Sequence, residues 1–102
     1  MKATRVIYKT RPEYVEKNKA NIEAVMKEVR ALKNPGFKYA TYLHEDGLTF
    51  MHFAVADTEE NSKILFDLPA FKKFREELLA SGPETLPKTE QFSVVASGYD
   101  IF

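Results

Sequence analysis

From Glu13 to Leu32 the apolar side chains stand at Val15, Ile22, Val25, Met26, Val29 and Leu32. That spacing makes one stripe of a long amphipathic helix whose other faces are charged. Pro12 fits just inside its start, where a missing N–H is harmless, and Asn34-Pro35-Gly36 closes it. A second stripe, Leu65, Leu68, Phe71, Phe74 and Leu78, continues across Pro69. It predicts a short helix near 59–67, capped by Thr58, and another from about 69 to 80. Elsewhere the extended pattern prevails. TRVIYKT (4–10) predicts a first strand, residues 37–44 and 48–55 a hairpin around Asp46-Gly47, and TEQFSVVASGY (89–99) a last strand after the loop SGPETLPK.

The order is β-α-β-β-α-β, a ferredoxin-like α+β arrangement in which two helices cover one face of a four-stranded antiparallel sheet. The hairpin admits two registers. A two-residue loop puts Thr41 opposite His52; a three-residue loop, Glu45-Asp46-Gly47, puts Ala40 there. The second sorts the side chains better and is the one predicted. It places Phe37, Tyr39, Thr41 and Leu43 with Met51 and Phe53 under the helices. Tyr42, Phe50 and His52 then lie on the open face with Leu48, Ala54 and Val6 or Ile7.

Composition narrows the function. A chain of 102 residues fits one domain, 1–102. Its 15 basic and 15 acidic residues balance, so no net field recruits nucleic acid or an anionic membrane. There is no cysteine, no leader-like segment at the start and no apolar run of membrane-spanning length, which together predict a soluble cytoplasmic protein.

An apolar open face needs a cover. RNA is one candidate, since Phe50 and His52 on a third strand are placed like base-stacking residues. The neutral charge and the lack of an aromatic early in the first strand argue against it. A second copy of the chain is the other, and a C2 interface needs only self-complementarity.

Three stretches, YKTRPEYVEK, NPGFKYATYLHEDGLTFMHFAVADTEEN and LFDLPAFKKF, resemble the antibiotic-biosynthesis-monooxygenase-like family. The resemblance implies a homodimer joined through the sheet as a dimeric α+β barrel. It also implies oxygenation of an aromatic or quinol-type metabolite without metal or flavin. His52 is then the candidate base; Tyr42, Phe50, Tyr8 and Arg11 are the candidate substrate-binding residues. Haem-degrading members use a Trp and a second-helix His, and this chain has neither. A non-catalytic dimer holding a small apolar ligand is the alternative. His44, beside the turn, reads as solvated. At about 3.3 Å per residue it stands too far from His52 for one subunit to bring both rings to one ion, so no metal site is predicted.

Overall fold

The computed structural model describes all 102 residues, Met1–Phe102. The strands are β1 (Lys2–Lys9), β2 (Phe37–Leu43), β3 (Thr49–Ala56) and β4 (Thr85–Phe92), joined in one antiparallel sheet of order β2-β3-β1-β4. A single 3-10 turn, Pro12–Tyr14, leads into α1 (Val15–Leu32); a 3-10 segment, Asn61–Asp67, precedes α2 (Pro69–Ala80). The predicted β-α-β-β-α-β order is therefore observed. No helix is long and apolar enough to cross a membrane.

The helix boundaries follow local chemistry. Lys33 takes the left-handed conformation, φ 50°, and ends α1 just before Asn34, whose Oδ1 accepts the Gly36 N–H at 2.8 Å. Pro69 divides the second stripe because its ring lacks the donor that would continue the 3-10 segment. The freed start of α2 is held from outside: the Ala70 N–H donates to the Glu28 carboxylate of α1 at 3.0 Å. The Thr58 hydroxyl accepts the Asn61 N–H at 3.1 Å, but the 3-10 segment starts at Asn61 with Glu60 as its N-cap, so Thr58 braces the preceding turn and does not cap a helix as expected.

The strand bounds differ from the sequence expectation, by one residue at most ends of β2 and β3 and by more in β4 and β1. β4 begins at Thr85, inside the predicted loop, and ends at Phe92 rather than Tyr99. Pro87 is tolerated because β4 is an edge strand with one side unpaired. β1 starts two residues early, at Lys2, because its pairing with β3 runs on to Ala56.

The hairpin register is the main correction. Thr41, not Ala40, stands opposite His52. The loop is neither of those considered, since His44 donates its N–H to Thr49 O at 2.8 Å and accepts from Gly47 N–H at 2.9 Å. Four residues, Glu45–Leu48, bridge the arms, with Gly47 at φ 72°. The Asp46 carboxylate fastens the loop by accepting from the N–H of Leu48 and Thr49, both at 2.8 Å, and from the Thr49 hydroxyl at 2.6 Å. These bonds hold the Asp46 carboxyl far below the usual carboxylate range.

One residue of register exchanges the faces of β3. Phe50, His52, Ala54 and Ala56 join Phe37, Tyr39 and Thr41 under the helices, with Tyr8 and Val6 from β1. The core cluster is Tyr8, Ile22, Val25, Phe50, Phe74 and Leu78. Met51, Phe53 and Val55 lie instead on the open face with Tyr42, Ile7 and Phe92. The RNA reading loses its residues with this change, because Phe50 and His52 are only 2% and 4% exposed.

Candidate functional site

A cavity of about 650 Å³ opens between the sheet and the α2 layer. Its floor is β1, β3 and β4, with Val6, Tyr8, His52, Ala54 and Thr89; its roof is the 3-10 segment and α2, with Leu65, Phe66, Phe71, Phe74 and Leu78. The volume suits a ligand of several fused or linked rings. Tyr39 of β2 closes one side.

His52 is the centre of a buried polar network in this otherwise apolar space. Its Nε2 lies 2.7 Å from the Tyr8 hydroxyl, and its Nδ1 lies 2.7 Å from the Tyr39 hydroxyl and 3.0 Å from Thr41 Oγ1. Asn18, on α1, donates from Nδ2 to the Tyr8 oxygen at 2.8 Å. That donor accommodates a Tyr8 O–H directed at Nε2, an arrangement that pairs with an imidazole proton on Nδ1, on the side of Tyr39 and Thr41. Asn18 Oδ1 is buried without a partner.

Burial decides the protonation states. It pulls the His52 pKa from 6.5 down to about 4, so the ring is neutral at pH 7. It pushes the Tyr8 and Tyr39 phenols well above their usual value; Asn18 and Thr41, respectively, pull the other way through hydrogen bonds. The rings are packed as well as bonded: His52 stacks on Tyr8 at 5.3 Å, on Tyr39 at 5.9 Å and tilts against Phe74 at 5.2 Å.

The five candidate residues are not one group. His52 and Tyr8 share the cavity wall. Phe50 is beneath it, stacked on Tyr8 at 5.7 Å, and supports the wall without lining it. Tyr42 is on the opposite face of the sheet, edge-on to Phe53 at 5.7 Å, because of the register. Arg11 donates from Nε to the Gly82 carbonyl at 2.7 Å and ties the chain entering α1 to the end of α2, away from the cavity. His44 is outside too, its Nδ1 accepting the Asp46 N–H at 3.2 Å within the turn.

Sequence reasoning missed Asn18 and Tyr39. Asn18 had a legible signal: it stands on the apolar stripe of α1, three residues after Val15 and four before Ile22. A polar residue at a core position needs a buried partner. Tyr39 had been placed under the helices but not beside His52, because the register put the two on opposite faces.

No protein-family model matches the chain, and no curated protein matches it either. Solved structures do. An antibiotic biosynthesis monooxygenase superposes with a TM-score of 0.78 at 10% identity, over 94% of this chain and 100% of that one. Rv0793 from Mycobacterium tuberculosis gives 0.79 at 15% identity, over 96% and 98%. A mutant of SnoaB, a cofactor-independent oxygenase from Streptomyces nogalater, gives 0.64 at 16% identity, over 97% and 98%. The fold is thus the one found in antibiotic biosynthesis monooxygenases, in agreement with the resemblance read from the sequence.

Proposed function

We propose that the protein is a small cofactor-independent monooxygenase that acts on an aromatic or quinol-type metabolite within this cavity. The observation that carries the reading is a neutral imidazole, bonded to two phenols, in the wall of an apolar cavity of about 650 Å³. The fold shared with a cofactor-independent oxygenase supports it.

In this reading an electron-rich phenol gives up its proton and reduces O2 itself. A carbon–oxygen bond forms to the ring, and the resulting hydroperoxide loses water to leave a quinone carbonyl. One oxygen atom enters the product and one leaves as water, with all electrons drawn from the substrate. The protein supplies a dry pocket and a place for the proton. Both His52 nitrogens already have hydroxyl partners, so the proton reaches His52 through one of them. As the Tyr8 oxygen takes the substrate proton, its own moves to Nε2.

A homodimer through the open sheet face belongs to the same proposal. Ile7, Tyr42, Met51, Phe53, Val55 and Phe92 form an apolar surface there, and Phe53, Phe92 and Tyr42 are 38%, 46% and 56% exposed. A second copy is the simplest self-complementary cover.

The occupied nitrogens of His52 also favour a second reading, a non-catalytic dimer that stores or carries an apolar ligand. Oxygen uptake with a panel of phenols and hydroquinones under labelled O2 separates the two. The oxygenase reading expects one labelled oxygen in the product and near-complete loss of turnover in His52→Ala. Binding without uptake across the panel would leave the carrier; turnover unchanged in His52→Ala would remove His52 from the chemistry.

A further inference from the structure

The cavity mouth carries an uneven charge. Lys2, Lys63 and Arg75 stand there against one carboxylate, Glu59. Lys2 and Glu59 satisfy each other at 3.3 Å. Lys63 and Arg75 form no ion pair and no side-chain hydrogen bond with any residue of the chain. The whole chain has 15 basic and 15 acidic residues, so this surplus is local to the mouth.

Arg75 is also positioned. Its guanidinium lies over the rings of Phe66 and Phe71, at 5.8 and 5.9 Å from their centroids. Both rings are cavity walls. Phe71 packs on Phe74 at 5.8 Å, and Phe74 reaches the His52 ring at 5.2 Å. A run of aromatic surface therefore leads from an unpaired guanidinium at the mouth to the imidazole inside.

We infer that the ligand of this cavity is an aromatic acid, its rings against Phe71 and Phe74 and its carboxylate on Arg75 and Lys63. The inference rests on the aromatic-substrate reading above and adds the charged group. Arg75 is held near the two rings by cation–π attraction and spends no N–H group on an ion pair, so its planar fork is free to match a carboxylate. Lys63 adds a second, less directional charge. An acid anchored at the mouth turns the far edge of its ring system toward Tyr8, Tyr39 and His52. Aromatic cations would be turned away by the same pair.

Calorimetry with the naphthoate anion and its neutral amide, naphthamide, at pH 7 tests this without any turnover. The acid is expected to bind at least tenfold more tightly, with an advantage that shrinks as salt is added. In the double variant Arg75→Gln, Lys63→Gln the advantage should fall below threefold while naphthamide affinity stays within twofold, which also reports that the cavity is intact. Equal affinities in the parent protein, or an undiminished advantage in the double variant, overturn the acid assignment and leave the aromatic site standing. Absence of binding by both compounds overturns the assignment together with the aromatic reading beneath it.

Discussion

The phenol of Tyr8 and the imidazole of His52 are joined twice, by a 2.7 Å hydrogen bond and by stacking at 5.3 Å between centroids. They come from different strands and are not directly paired: Tyr8 faces Phe50 and His52 faces Val6. The diagonal is what lets one ring overlap the other while its hydroxyl reaches Nε2.

Tyr8→Phe keeps the stacking and removes the bond. It leaves buried His52 Nε2 and Asn18 Nδ2 without their partner. A destabilisation of roughly 1–3 kcal/mol is expected from urea unfolding. Tyr42→Phe, on the exposed face, should stay within about 0.5 kcal/mol. Equal effects of the two would mean that the buried network carries no net stability.

The depressed pKa of His52 predicts a particular pH dependence. The unfolded chain binds a proton at this residue near pH 6.5, whereas the native protein does so only near 4. Between those values the unfolded state holds more protons, so stability falls as pH falls. The loss is on the order of 3 kcal/mol across the window, with none from this group above it. Glu77 and Glu90 titrate below the ordinary 4.5 of a glutamate and act lower on the scale. Unfolding midpoints from pH 7 to 4.5 should slope in the parent protein and flatten in His52→Gln. A flat parent profile would show that His52 is not held neutral.

Phe50→Ala reads the register directly. Phe50 is 2% exposed and stacked on Tyr8, so truncation should cost about 3–5 kcal/mol. In the alternative register the same residue would lie on the open face of the monomer, and the cost would be far smaller. Chemical denaturation at a single pH is sufficient.

Phe53→Glu tests the assembly. On the open face, beside Tyr42, a buried carboxylate would break an apolar dimer interface. Sedimentation should show a dimer for the parent protein at micromolar concentration and a monomer for the variant. A parent protein that sediments as a monomer would contradict the homodimer.

The element order was legible because the helix stripes and the turn residues each carry a strong local signal. Pro69 divided the second stripe at the expected place, and Asn34-Pro35-Gly36 ended the first. The register was not legible, for two reasons. LTFMHFAV is apolar at odd and even positions alike, so alternation gives no vote. The deciding contacts are those of the Asp46 carboxylate with Leu48 and Thr49, a side-chain arrangement that loop-length rules do not contain. His52 could be singled out as a neutral-pH base on a strand. Its partners could not, because which tyrosines meet it depends wholly on that register.

The alternation of the sheet also separates two sets of side chains. On β1 and β3 the even positions, Tyr8, Phe50 and His52 among them, line the cavity or support its wall, while the odd ones, Ile7, Met51 and Phe53, face outward. Neighbouring residues of one strand thus meet different physical demands. A substitution at an even position reshapes the cavity and leaves the outward surface as it was, and one at an odd position does the reverse.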